Sequence, residues 1–221
     1  MIKVHHLENS RSQRILWLLE ELGLDYEIVE YKRDPDTAAA PESLKKIHPL
    51  GKSPVITDAD LTIAESGAII EYLLDQYDTE KHLRPTEGKA LLDYRYWLHF
   101  AEGSLMPLLV MKLVMMKVPE SPMPFFIKPI AKAITNKIQE KFITPRITPQ
   151  MQFIEKTLGE HTWFAGEKLT AADIQMSFPL QASSTRMDLS DYPNIARFIK
   201  QVEAVPAYQQ ALAKGGAFTT L

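Results

Sequence analysis

Strand-like alternation of apolar and polar residues stops at about residue 64 of this 221-residue chain, and the pattern beyond is helical in period. That division excludes an all-β fold and leaves a small sheet-bearing unit followed by a helical one. Ile2-Lys3-Val4-His5 alternates as a short strand does. The polar turn Leu7 to Ser12 leads into Ile15, Leu18, Leu19 and Leu22, which share one helix face. A helix is expected to begin near Ser10 and to end at Gly23, where a left-handed cap is wanted. Tyr26, Ile28, Val29 and Tyr31 read as a second strand, and such a strand–helix–strand unit closes as a right-handed parallel crossover.

A polar stretch, Asp34 to Ala40, and a short helix over 41–47 come next. Val55-Ile56-Thr57 and Leu61-Thr62-Ile63 then flank Asp58-Ala59-Asp60 as a hairpin with a three-residue loop. Ala64-Glu65-Ser66 opens an amphipathic helix carrying Ile69, Ile70, Leu73, Leu74 and Tyr77. The order βαβ, helix, ββα is thioredoxin-like, and this domain is expected to occupy 1–80. The polar segment 78–85, ending in Pro85, reads as a linker. Helical patterns follow over 89–117, where Pro107 is expected to introduce a kink, and over 129–158, with Pro119, Pro122 and Pro124 between them. In Leu169-Thr170-Ala171-Ala172-Asp173-Ile174, Thr170 and Asp173 have the spacing of a capping box, and Leu169 and Ile174 that of a hydrophobic staple. The expected class is α+β, with an all-helical domain over 88–221.

Composition narrows the function. Apolar residues at 45% and charged residues at 24% supply a globular core. With 25 basic against 28 acidic residues, a net charge of −3 and no basic block, a nucleic-acid partner is not expected. The chain has no cysteine, which removes disulfides, thiolate metal sites, a Cys nucleophile and a Cys-x-x-Cys redox centre. Thiol chemistry here requires a thiol from the ligand. Met1 to His6 lacks a signal-peptide run, and the apolar run Leu105–Met111 stops at Lys112, short of the roughly 20 residues a bilayer needs. A cytoplasmic protein without a membrane span is expected.

Three places carry candidate chemistry. Ser10 reads either as a helix cap or as a hydroxyl donating to an anion beside a helix N-terminus, with Arg11 and Arg14 adding positive charge. His5 and His6 lie on the preceding strand facing opposite ways, so no base is expected to activate Ser10 as a nucleophile; a hydroxyl that stabilises a thiolate fits better. Pro54 sits between a turn-rich loop and a strand, and the base rate for X–Pro bonds favours trans. Glu65-Ser66 reads as an exposed acid and a capping serine, or as a pair suited to the ammonium and carboxylate of an amino-acid head group, with a γ-glutamyl group fitting both. Met106, Met111, Met115 and Met116 with Phe125 and Phe126 are expected to be mostly core, the second reading being a pocket lining whose flexible methionines suit varied apolar substrates; Tyr94 and Trp97 are expected to be packing.

Taken together, Asn9-Ser10-Arg11-Ser12-Gln13-Arg14 with Leu19-Glu20-Glu21-Leu22-Gly23-Leu24, His48-Pro49-Leu50-Gly51-Lys52-Ser53-Pro54, and Glu65-Ser66 resemble the cytosolic glutathione transferases. Leu169 to Asp173, Tyr192-Pro193-Asn194 and Pro206-Ala207 extend the likeness through the helical half, nearest to serine-type bacterial and fungal members. The resemblance implies that Ser10 faces the glutathione sulfur, with Asn9 and Ser12 as rivals. It implies that Pro54 is cis, that Ser53 pairs through its backbone with the cysteinyl unit, and that Glu65 and Ser66 hold the γ-glutamyl end. It sets Lys52, or else His48 or Lys45, at the glycyl carboxylate. It further implies glutathione as cosubstrate without a metal, a small hydrophobic electrophile and a homodimer. The activity implied is conjugation or organic-peroxide reduction, with disulfide reduction, isomerisation, dehalogenation or a non-catalytic interaction module as alternatives.

Overall fold

The structure, a computed structural model, describes residues 1–35, 37 and 39–216. Residues 36 and 38 of the polar stretch and 217–221 of the expected helical domain lie outside the described residues. In chain order the elements are β1 (Ile2–Leu7), α1 (Gln13–Glu21), β2 (Tyr26–Tyr31), α2 (Glu42–Lys45), β3 (Val55–Asp58), β4 (Leu61–Ala64) and α3 (Ser66–Tyr77). The helical half comprises α4 (Gly88–Phe100), α5 (Met106–Lys117), α6 (Lys128–Ile138), α7 (Thr144–Glu160), α8 (Ala171–Ser184), α9 (Pro193–Glu203) and α10 (Pro206–Gly215). The sheet runs β2-β1-β3-β4, with β1 parallel to β2 and antiparallel to β3, and β3 antiparallel to β4. It is the expected α+β architecture, a thioredoxin-like sheet unit followed by helices.

Local chemistry moves several boundaries. The first helix begins at Gln13, not near Ser10: residues 8–12 form turns, and Ser12 is the N-cap, in right-handed helical backbone and without a side-chain cap bond. Asn9 bends this turn with φ at 50°, a conformation Asn tolerates better than most residues. Asp58 pairs with Leu61, so the hairpin loop is the two residues Ala59-Asp60 and not three. Pro107 does not simply kink a helix: a π-helical turn, Ala101–Leu105, stands before it, and a second, Gln139–Ile143, stands before Pro145. Each wide turn sits next to a proline that has no N–H to give to the carbonyl four residues back.

Helix α1 is buried on every side from Gln13 to Leu19 and packs between the sheet, α3, α8 and α10. Val4, Leu16, Ile69, Leu73, Trp97, Leu105, Ile174 and Phe198 belong to one continuous core, so the sheet unit and the helices fold around shared apolar contacts. Tyr94 and Trp97 are core, as expected. Of the methionine and phenylalanine stripe, Met106 alone is buried, while Met111, Met116, Phe125 and Phe126 are exposed, because α5 and α6 present an apolar side to solvent. The helical run Gly88–Glu120 is long and apolar enough to cross a membrane by length and composition, with a window of mean hydropathy 1.3. It nevertheless packs on α8 and carries Glu102 in an ion pair, with much of its apolar surface left uncovered.

The capping box forms as spaced. Asp173 accepts from the N–H and the hydroxyl of Thr170, both at 2.8 Å, and from the N–H of Phe164 at 2.8 Å, while fully buried. Asp173→Ala should lower stability by about 2–4 kcal/mol in urea unfolding, because two buried N–H groups lose their acceptor together with the cap. Burial pushes the Asp173 carboxyl up to about 6, against the pull of its hydrogen bonds. The folded state therefore holds this proton more tightly than the unfolded chain does. That stabilisation is full below the unfolded carboxylate range and is lost as pH rises through about 6. Between about pH 4 and 6 the wild-type urea midpoint should carry a downward component that Asp173→Asn lacks.

Candidate functional site

Two cavities join where β1 runs into the turn before α1. The larger, about 400 Å³, has Ser10, Arg11, Lys52 and Ser53 on one side and Met106, Val110, Leu113, Phe178 and Arg186 on the other. The smaller, about 200 Å³, is lined by His48, Pro54, Glu65, Ser66 and Glu102. Arg11, Lys52 and Ser53 belong to both, which makes one cleft with two arms. Ser10, Lys52, Ser53, Pro54, Glu65 and Ser66 all line it, although the chain separates the first from the last by most of the sheet unit. Among the described residues, no group of three His, Asp or Glu side chains is placed to hold a metal ion.

Ser10 is 6% exposed and closes the floor of the larger cavity. Its Oγ lies 2.7 Å from Ser12 Oγ and 3.2 Å from Ser53 Oγ, and it accepts the N–H of Ser12 at 3.3 Å. Ser12 is fully buried and lines neither cavity, so of the two rivals only Asn9 shares the cleft with Ser10. As expected from the strand, no histidine among the described residues hydrogen-bonds to Ser10 directly, but Ser12 Oγ lies 2.8 Å from His6 Nδ1 and 2.7 Å from Ser10 Oγ and bridges the two. Strand alternation did place His5 and His6 on opposite sides, with His5 meeting the Tyr31 hydroxyl at 2.9 Å; what it did not show was the intervening serine.

The Ser53–Pro54 bond is cis, as the resemblance implied and against the base rate. Ser53 Oγ donates to the carbonyl of His5 at 3.0 Å, tying the proline loop to β1 beside Ser10. Glu65 holds φ at 73°, a left-handed backbone unusual for a residue with a Cβ, and stands exposed at the mouth of the smaller cavity. Neither Glu65 nor Ser66 makes a side-chain cap bond, so the capping reading of this pair fails. Ser66 Oγ instead accepts from Arg14 Nη2 at 2.9 Å. Of the basic residues, Lys45 is paired with Glu42 at 2.5 Å, whereas Lys52 lines both cavities.

Arg14 does not contribute charge to the cleft surface. It is 2% exposed and donates to the carbonyl of Gln175 at 2.8 Å, to Ser66 and to Glu102 at 2.6 Å. Gln175 has a carbonyl to spare because Pro179, four residues on in α8, lacks the N–H that would take it. Burial alone would raise the Glu102 carboxyl, but Arg14 and Arg11 hold it below its ordinary value. Glu102 and Arg186 escaped the sequence reading. Glu102 left a signal, being the lone charged residue between Leu98 and Met111; Arg186, in the loop after α8, left none.

Sequence models of the glutathione S-transferase N-terminal domain and C-terminal domain match residues 1–75 and 123–215. The chain is 39% identical to glutathione S-transferase 1 of Saccharomyces cerevisiae, over 98% of this chain and 96% of that one. It is 37% identical to glutathione S-transferase 3 of Schizosaccharomyces pombe, over 97% and 88%. The crystal structure of a glutathione S-transferase from Actinobacillus pleuropneumoniae superposes with a TM-score of 0.80 at 39% identity, covering 100% of this chain and 95% of that one.

Arg14→Met should destabilise the protein by about 3 kcal/mol in urea unfolding, because it takes the donor from the Gln175 carbonyl and Ser66 and leaves Glu102 with Arg11 alone. Arg14→Lys, which keeps the charge but not the fork, should fall between the two.

Proposed function

The chain belongs to the cytosolic glutathione S-transferase family and is a glutathione S-transferase with glutathione as its cosubstrate; from that premise we propose that Ser10 presents its hydroxyl to the glutathione sulfur. In this reading Glu65 and Ser66 hold the γ-glutamyl ammonium and carboxylate, the Ser53 backbone pairs with the cysteinyl unit, and Lys52 meets the glycyl carboxylate. The observation that carries it is the continuity of the cleft. Ser10 lines the arm walled by Met106, Leu113 and Phe178, beside Arg11, Lys52 and Ser53, which that arm shares with the polar arm of Glu65 and Ser66. A tripeptide laid along the polar arm brings its sulfur to the border of an apolar chamber. Lowering a thiol pKa by about two units needs about 2.7 kcal/mol, within reach of a hydroxyl donor and oriented backbone dipoles. The thiolate then attacks an electrophilic carbon in the chamber, and the same thiolate serves peroxide reduction. We also assign the active form as a cytoplasmic homodimer; the uncovered apolar side of α5 and α6 supports the pairing of chains.

The chamber favours one kind of electrophile. Nε and Nη1 of Arg186 are out of solvent without a hydrogen-bond partner, and burial and the neighbouring Arg11 both press against its charge. A small apolar electrophile bearing an acidic group relieves both.

Two outcomes test the assignment. Ser10→Ala should raise the pKa of bound glutathione, followed by thiolate absorbance, and lower turnover near neutral pH while glutathione still binds. Glu65→Gln should weaken glutathione binding itself, roughly tenfold, through loss of a charge-assisted bond. A larger rate loss in Asn9→Ala than in Ser10→Ala, with folding intact, would move the thiol contact to Asn9. A further test concerns Arg186. With rates normalised to the uncatalysed reaction, 4-chloro-3-nitrobenzoate should exceed 4-chloro-3-nitrobenzamide in kcat/KM, and Arg186→Met should erase a preference of roughly tenfold.

A further inference from the structure

Behind Ser10 the hydrogen bonds form one directed chain. His6 Nε2 lies 2.8 Å from the carbonyl oxygen of Gly215, the last residue of α10. A carbonyl only accepts, so the neutral ring carries its proton on Nε2 and leaves Nδ1 as an acceptor. Ser12 Oγ, 2.8 Å from Nδ1, must donate to it. With its proton so committed, Ser12 Oγ accepts from Ser10 Oγ at 2.7 Å. Ser53 Oγ, whose own proton goes to the His5 carbonyl, gives Ser10 no proton; it is a second acceptor for the Ser10 hydroxyl at 3.2 Å, longer than the 2.7 Å to Ser12. Ser10 Oγ is left with one lone pair for the Ser12 N–H and one for a donor in the cleft. A thiol placed there completes a row of donors that all point from the sulfur toward Gly215.

We propose that His6 takes up the thiol proton of bound glutathione through Ser10 and Ser12. The inference rests on the reading that Ser10 faces the sulfur. In the step, the S–H bond breaks and its electron pair stays on sulfur. The thiol proton binds Ser10 Oγ as the Ser10 proton passes to Ser12 Oγ and the Ser12 proton passes to His6 Nδ1. The three bonds between the sulfur and His6 Nδ1 then run the other way: the imidazolium donates to Ser12, Ser12 to Ser10, and Ser10 to the thiolate, while Nε2 still donates to Gly215. One shift of protons both ionises the thiol and turns Ser10 from acceptor into donor. After the C–S bond forms and the leaving anion departs, the imidazolium returns its proton to water, so that glutathione and R–X give the conjugate, X⁻ and H⁺. His6 and Ser12 touch no reacting atom and act through Ser10.

The surroundings of His6 suit a base that is neutral at rest. Burial holds the imidazole below its ordinary value, opposed by the Gly215 hydrogen bond and by Glu30, its register partner on β2. From α10, the ring meets the C-terminal end of the helix, whose dipole favours a cation. From α1 it meets neutral groups, Ser12 and, around Gly215, Gln13 and Leu16. Lys214 is occupied by Glu20 at 2.5 Å. Gly215 permits this seat: a Cβ there would stand 2.3 Å from Leu16 Cδ1 and 3.4 Å from His6 Cε1.

The test counts protons. On mixing with glutathione in weak buffer near neutral pH, thiolate is read by absorbance near 240 nm and released protons by an indicator dye. If His6 keeps the proton, wild-type protein should release well under one proton per thiolate formed. In His6→Asn, whose carbonyl still accepts from Ser12, and in Ser12→Ala, the shortfall should vanish. The bound thiol and the acidic limb of kcat/KM should both move about one pH unit upward in these variants. Full release by wild-type protein overturns the relay without any variant. So does an unmoved thiol titration in either variant, provided it is folded by circular dichroism. If Ser10→Ala also leaves the thiol titration unmoved, the assignment of Ser10 itself has failed; if Ser10→Ala raises it and the other two do not, the relay alone has.

Discussion

The buried guanidinium of Arg14 holds this protein's two halves in register. It grows from α1, in the sheet unit, and its donors reach the first residue of α3, the π turn after α4 and the middle of α8. A cation so deeply enclosed is tolerable only when all its partners are present, which makes the arrangement cooperative: displacing any one of Ser66, Glu102 or Gln175 exposes the others to the same desolvation. Two irregularities serve this clamp. Pro179 frees the Gln175 carbonyl, and the π turn carries Glu102 on a stretch whose next helix begins at Met106, already on the cleft wall. The polar arm and the apolar arm of the cleft are therefore positioned by the same ion.

Around that clamp, the turn between β1 and α1 matters because it is not helical. Had α1 begun at Ser10, the hydroxyl would have capped its own helix. Starting at Gln13, the helix leaves Ser10 Oγ to the cleft and turns Ser12 Oγ inward to His6. The cost of an Asn at φ 50° is small beside the freedom this gives the two serines. Burial then sorts otherwise similar side chains. Ser10 touches the cavity, Ser12 does not, and only the first is in a position to meet a ligand.

Much of this was legible in the chain. The change from period two to helical period, the glycine at 23 and the Thr170–Asp173 spacing each report a local physical preference, and each appears in the structure. Ser10, Lys52, Ser53, Pro54, Glu65 and Ser66 were found through motif resemblance, and they converge on one cleft. Less was visible where the partner lies far along the chain. Met111 and Met116 looked like core because apolar spacing shows which side of a helix is apolar, not whether anything covers it. Arg14 looked like a contributor of surface charge, since nothing near it in sequence announces a carbonyl 161 residues away.

By itself, then, the sequence determined the elements, their order and the types of group that could handle a thiol supplied by a ligand. These follow from interactions within a few residues: alternation, caps, turns and the absence of cysteine. Tertiary structure decided which polar atoms meet. His6 becomes a candidate proton acceptor only because the end of α10, 209 residues further on, presents a carbonyl that fixes its tautomer. A hydrogen bond has no sequence signature when donor and acceptor are brought together solely by packing, and it is packing that joins Ser10, Ser12, His6 and Gly215 into one line.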